Sequence, residues 1–206
     1  MNLKFVVAIG YSEGGIEHLL KFFDNTPHDQ ATYVILRHVP IGQRGLLRDV
    51  LQRHSKLEIV EAEDGMAIEN DKVYIPPSNS YMTIKNDTFY LHQRLLEHSY
   101  YNSTIDTFLE SLAKDKAHKS IAVILSGNGA DGAVGVAHIH KAGGLVIAQA
   151  PATCSHPQMP QAVIDTQGVD QVLAPHEMPA FITKHVDPVL KNENLVRTLK
   201  RKPEAR

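Results

Sequence analysis

The run Phe5-Val6-Val7-Ala8-Ile9-Gly10-Tyr11-Ser12-Glu13-Gly14-Gly15-Ile16 constrains this chain more than any other stretch. It opens as an apolar strand, turns on glycines, and resumes with Ile16, Leu19, Leu20 and Phe23 at helical spacing. A buried strand that passes straight into a helix puts its turn at the carboxyl edge of a parallel sheet, where open α/β sheets bind ligands. Within the turn, Gly10-Tyr11-Ser12-Glu13-Gly14 matches the G-x-S-x-G pattern, whose sharp bend pushes a serine hydroxyl outward. A β-carbon at either glycine would crowd the bend and an approaching ligand. Taken alone, the turn equally suits a phosphate held on the N–H groups of a helix start.

The same build recurs along the chain. Thr32-Tyr33-Val34-Ile35-Leu36 is a β-branched strand ending in Arg37-His38-Val39-Pro40, and Leu46, Leu47, Val50 and Leu51 then follow helical spacing. Ile121 to Ser126 is a strand of the fully buried kind, followed by the glycine loop Gly127 to Gly132 and a helix through Val134, Val136 and Ile139. Ser12, His38 and Asp131 thus each fall just past the end of a parallel strand. In the middle, residues 57–93 hold short β-type runs, and Tyr81 to Leu91 reads as an antiparallel hairpin with a loop of about three residues. Asn102 or Ser103 caps a helix striped by Ile105, Phe108, Leu109 and Leu112. Leu145–Ala148 and Val169–Leu173 add strands, and Pro157–Thr166 and Glu177–His185 add helices.

The expected architecture is therefore α/β: a doubly wound, mostly parallel sheet with helices on both faces and an antiparallel edge hairpin at about 81–91. It forms one domain over residues 1–186. From Asp187 the pattern decays, and residues 187–206 read as a flexible basic tail.

Charge narrows the function classes. A formal net charge of −2, spread along 206 residues, gives no bulk attraction to nucleic acid or to an anionic membrane. No apolar run approaches the ~18 residues of a membrane helix, and the amino terminus lacks signal-peptide features. A single cysteine, Cys154, fits a reducing compartment, so the expected location is cytoplasmic. A Cys154–His156 nucleophile is set aside, because closeness in sequence does not make two side chains face each other. His138 and His140, two apart on a helix, point to different sides. No cluster has metal-ligand spacing, so neither a metal nor another cofactor is expected.

Serine is a poor nucleophile at neutral pH and needs a base. Histidine suits that role, and a carboxylate fixes the imidazole tautomer and steadies the imidazolium. Ser12, His38 and Asp131 supply all three groups at equivalent topological positions. Separately they have plainer readings: a turn residue, one of twelve histidines, and a helix cap.

At these residues the chain resembles the methylesterase domain of the chemotaxis response regulator CheB. The resemblance rests on Ala8-Ile9-Gly10-Tyr11-Ser12-Glu13-Gly14-Gly15, Ile35-Leu36-Arg37-His38-Val39-Pro40, Glu61-Ala62-Glu63-Asp64-Gly65 and Val73-Tyr74-Ile75-Pro76-Pro77. It continues through Ile124-Leu125-Ser126-Gly127-Asn128-Gly129-Ala130-Asp131-Gly132-Ala133 and Gln158-Met159-Pro160, in family order over roughly residues 4 to 185. The family's serine, histidine and aspartate fall on Ser12, His38 and Asp131. The resemblance implies hydrolysis of glutamate methyl esters, and deamidation of glutamine, on the cytoplasmic helices of methyl-accepting chemoreceptors. It also implies that no cofactor takes part. The alternatives are a non-catalytic or weakly active receptor-binding module with the same fold, and an esterase of small soluble esters.

Three departures mark this chain. Glu13 stands where the family usually has threonine, Asn128 where it has methionine, and Tyr101-Asn102-Ser103-Thr104-Ile105-Asp106 where it has a basic stretch ending in aspartate. Asn128 is a candidate second oxyanion donor in the substrate loop. A Glu13 carboxylate within ~5 Å of a developing oxyanion would cost about 1–3 kcal/mol at an effective dielectric of ~20 to 40. The family's receiver domain has no counterpart before the Gly10 turn, so control by phosphorylation within the same chain is not expected, and a separate regulatory protein is a candidate partner.

Overall fold

Residues 4–38, 46–93 and 103–200 are described by the structure, a computed structural model, with only the backbone described at 190 and 192–200. Seven parallel strands carry the fold: β1 (Val6–Tyr11), β2 (Thr32–Arg37), β3 (Glu58–Glu61), β4 (Lys72–Ile75), β7 (Ser120–Ile124), β8 (Leu145–Gln149) and β9 (Gln171–Leu173). Their order is β3-β4-β2-β1-β7-β8-β9 and every pair is parallel. The central strands are mostly apolar because both faces are covered. Along β1, Val7, Ile9 and Tyr11 face one layer while Val6 and Ala8 face the other.

The first layer holds α1 (Ile16–Asp24), α2 (Leu47–Leu51) and α6 (Met178–Lys200). Helix α1 turns Leu19, Phe22 and Phe23 inward, and both phenyl rings meet the Tyr33 ring edge-on, at 6.1 and 5.8 Å between centroids. The second layer holds α3 (Thr104–Lys116), α4 (Ala133–Lys141) and α5 (Gln158–Asp165), with Phe108, Leu112, Ile139 and Val163 fully buried. Each such side chain contributes roughly 1.5–3 kcal/mol by leaving water. The doubly wound arrangement read from the sequence is the one found.

The hairpin is present as β5 (Ser80–Lys85) and β6 (Thr88–Gln93). It forms a two-stranded sheet of its own; the edges of the large sheet are β3 and β9. Its apolar face, Met82, Ile84 and Phe89, buries against the Phe108 side of α3, and the Ile84 N–H donates to Ser111 Oγ at 3.1 Å. The hairpin loop is tighter than expected. Asn86 and Asp87 alone turn the chain, at φ of 52° and 59°, a left-handed pair that these two residue types tolerate.

Helix α6 runs past the boundary expected at Asp187. Met178, Ile182 and Val186 are its buried stripe; Pro188 then interrupts the sequence pattern while the backbone stays helical to Lys200. The loop expected over 94–102, the Pro40–Gly42 strand stop and the final six residues, 201–206, lie outside the described residues.

Candidate functional site

Strand β1 lies between β2 and β7, with α1 on one face of the sheet and α4 on the other. The loops after β1 and β2 lead to helices of one layer and the loop after β7 to a helix of the other. The chain therefore parts between β1 and β7, and a crevice opens at their carboxyl ends. Ser12 follows β1, His38 follows β2, and Asp131 ends the loop between β7 and α4.

The turn around Ser12 is tightly made. Its N–H donates to Ser126 O at 3.1 Å and its carbonyl accepts from Gly15 N–H at 3.0 Å. Gly14 sits at φ +69°, which L side chains rarely adopt. At Gly127 the constraint is space: a β-carbon there would lie 2.8 Å from Ser12 Cβ and 2.3 Å from Met159 Sδ. Buried Ser126 ties the neighbouring loop to the turn, receiving His156 N–H at its Oγ, 2.9 Å, while its own N–H donates to Gln149 Oε1, 2.9 Å.

His38 bridges the other two groups. Its Nδ1 lies 3.2 Å from Ser12 Oγ and its Nε2 2.7 Å from Asp131 Oδ2. With the carboxylate on Nε2, the neutral imidazole carries its proton there and turns the Nδ1 lone pair to the hydroxyl. The histidine side chain is 20% exposed and the aspartate 8%. The convergence expected at the three strand ends is present.

Asp131 is also a helix cap, though of a different helix from its own. Its Oδ2 accepts the Ile105 N–H at 3.0 Å and its Oδ1 the Asp106 N–H at 2.9 Å, at the start of α3. Those donors lower the energy of the carboxylate and hold it against the positive end of α3. Ser103, one of the two expected caps, makes no side-chain cap bond, and the other, Asn102, lies outside the described residues. Asp106 returns the arrangement: its Oδ1 accepts Gly132 N–H at 2.9 Å and Gly135 N–H at 2.7 Å, at the start of α4. Burial and the nearby Asp131 raise the Asp106 carboxyl above its ordinary value, against the pull of the Gly135 and Gly132 N–H groups. The sequence reasoning missed Asp106 as a site residue. Its signal was Ser103-Thr104-Ile105-Asp106, a capping-box pattern whose acid serves the neighbouring helix instead of its own.

Glu13 and Asn128 are joined to each other. The Asn128 amide donates to Glu13 Oε2 at 2.5 Å, and Glu13 Oε1 lies 3.9 Å from His156 Nε2. One Asn128 N–H is thereby engaged away from Ser12. The Cys154 thiol, pushed up to about 11 by burial, stays protonated and does not pair with His156. A cavity of about 300 Å³ opens beside Ser12 and His38, walled by Ile16, Leu46, Leu47 and Val50. A larger one, about 760 Å³, lies between the hairpin and α3 and includes none of the three groups. Among the described residues no three His, Cys, Asp or Glu side chains gather as a metal would need, and no helix is long and apolar enough to cross a membrane.

Known proteins share this arrangement of strands and loops. The family model described as CheB methylesterase matches residues 7–182. The chain belongs to the CheB methylesterase family. Its similarity to the protein-glutamate methylesterase/protein-glutamine glutaminase of Pyrococcus horikoshii is 31% identity, over 94% of this chain and 54% of that protein. For the protein of the same name from Thermotoga maritima the identity is 33%, over 84% of this chain and 52% of the relative. The chain thus spans about half the length of these curated relatives. A Leptospira interrogans protein, named putatively for the same activity, is 31% identical, with 84% of this chain matching 90% of it. The crystal structure of the Thermotoga maritima CheB methylesterase catalytic domain superimposes with a TM-score of 0.80 at 32% identity, covering 88% of this chain and 98% of that domain.

Proposed function

We propose that this CheB-family chain is a serine hydrolase that removes methyl esters from glutamate side chains of chemoreceptors, with Ser12 as nucleophile, His38 as base and Asp131 as its orienting carboxylate. What supports the reading is one continuous hydrogen-bonded path, Ser12 Oγ to His38 Nδ1 at 3.2 Å and His38 Nε2 to Asp131 Oδ2 at 2.7 Å, in a family whose named members are protein-glutamate methylesterases. Ser12 Oγ attacks the γ-carbonyl of the ester while His38 Nδ1 takes the hydroxyl proton. The imidazolium forms against a carboxylate that stays ionised, and His38 Nδ1–H then protonates departing methanol. Water, deprotonated by the same nitrogen, cleaves the acyl-serine and returns glutamate.

The negative oxygen of each tetrahedral species needs donors already in place. The Ser12 N–H is occupied by Ser126 O, whereas the Glu13 and Gly14 N–H groups have no acceptor among the described residues. These two amides are the oxyanion donors in this reading. The experiment is methanol release from methyl-esterified receptor membranes. Ser12→Ala and His38→Ala should each lower it by about a thousandfold or more. Equal release from wild type and both variants would remove the triad.

A further inference from the structure

One charge in the cleft has no use in the reaction as described. Arg37 is the last residue of β2, directly before His38, and it borders the 300 Å³ cavity beside Ser12. It is half-buried. Among the described residues no carboxylate pairs with it. Its cation acts on the hydroxyl of Tyr11, the residue before the nucleophile, pulling against the burial that raises that group. Tyr11 is only 5% exposed, and burial keeps its hydroxyl protonated despite the adjacent cation. It therefore leaves the guanidinium charge unneutralised.

A cation held out of bulk water without a counter-ion costs free energy that a ligand anion recovers. Guanidinium also presents a planar fork of donors that matches a carboxylate bidentately. The scissile methyl ester is neutral and gains less from such a group than an ionised carboxylate does. We infer that Arg37 forms a carboxylate subsite beside the nucleophile, with the apolar wall of Ile16, Leu47 and Val50 packing the stem of the acidic side chain it receives. This rests on the ester-hydrolase reading of the same cleft. The carboxylate has two chemical sources: an acidic side chain next to the ester on the substrate surface, or the glutamate that hydrolysis itself creates. In the first case Arg37 selects substrates; in the second it retains product.

The test measures binding apart from turnover. Labelled helical peptides carry one glutamate γ-methyl ester flanked by either glutamate or glutamine, and a third peptide carries free glutamate in place of the ester with a glutamine flank. Each is titrated by fluorescence anisotropy into full-length Ser12→Ala protein, and into the same protein also bearing Arg37→Gln or Arg37→Lys. With Arg37 present, the glutamate-flanked ester should bind about tenfold tighter than the glutamine-flanked one, the size expected of one charge-assisted pair. Arg37→Gln should collapse that ratio to near one, Arg37→Lys should keep part of it, and added salt should shrink it. If the free-glutamate peptide alone gains from Arg37, the subsite holds product. No preference for either carboxylate peptide in the Ser12→Ala protein overturns the inference, whether or not the Arg37 variants fold. An Arg37-dependent preference without methanol release from the wild type overturns the hydrolase reading and leaves the subsite standing.

Discussion

The two flanks of the Ser12 turn are built on opposite principles. On the β7 side everything is held more than once. Two carboxylates exchange four backbone N–H groups across two helix starts, and Gly127 leaves no room for a methyl group beside Ser12. On the β2 side His38 leads into an open apolar cavity whose rim residue Leu46 is 74% exposed. The difference separates two requirements. In the proposed reaction, proton transfer needs a fixed imidazole, which the rigid flank would hold through Asp131, and a protein substrate needs access, which the open flank would give.

Asp131→Asn attacks the rigid flank most directly. The amide must place its oxygen on His38 Nε2–H and the Ile105 N–H, and then turns its N–H groups toward the Asp106 N–H that the carboxylate now satisfies. The imidazolium loses its counter-charge as well. A fall in methanol-release kcat of about 10³- to 10⁴-fold is expected from the lost orientation and charge, together with a lower Tm. Retention of more than about a tenth of wild-type kcat would mean that this flank does not set the proton path.

Asp106 gives a smaller effect and a cleaner diagnosis. Asp106→Ala leaves the Gly132 and Gly135 N–H groups without their cap, a loss of about 1–2 kcal/mol in stability. Because Gly132 follows Asp131, the carboxylate should shift with it, lowering kcat while leaving KM in place. Asp106→Asn keeps the acceptor oxygen and should restore most of both. The pH dependence has a definite sign. The Asp106 carboxyl is raised from its ordinary value of 3.8, so the folded state binds its proton more tightly than the unfolded chain does. The stability it contributes is complete below 3.8 and drains away as pH rises through the folded value. Chemical denaturation from pH 3 upward should therefore show the wild type losing stability relative to Asp106→Asn. A difference between the two that does not change with pH would mean the carboxyl is not perturbed.

How much of this was legible beforehand follows the same division. Ser12, His38 and Asp131 were readable because strand-to-helix turns announce themselves through apolar runs and glycines, and sheet topology then brings the strand ends together. The mutual capping was not, since Asp106 bonds to residues 26 and 29 positions away and local patterns record only a helix's own cap. Where the hairpin packs was hidden for a similar reason: the alternation of Met82, Ile84 and Phe89 fixes a buried face but not whether a sheet edge or α3 covers it. The decay at Asp187 was a change of composition, and Pro188 hid a helix that continues. Arg37 looked like a strand end until a cavity appeared beside it.

Glu13 carries the smallest expected effect and tests whether the turn itself belongs to the rigid flank or the open one. A carboxylate fixed against the oxyanion would cost tenfold or more in rate. Here its side chain is 65% exposed, anchored on the Asn128 amide at 2.5 Å and facing His156 at 3.9 Å. Water and salt screen a charge in that position, leaving at most about 1 kcal/mol at the reacting atoms. Glu13→Thr should therefore raise kcat by no more than about fivefold, the rate equivalent of that energy, with a further small gain if the freed Asn128 amide reaches the oxyanion. Comparing Glu13→Thr with the double variant Glu13→Thr/Asn128→Ala separates the two contributions. A gain above about tenfold in the single variant would place the carboxylate inside the reaction field, and the turn would then be held against its own chemistry rather than for it.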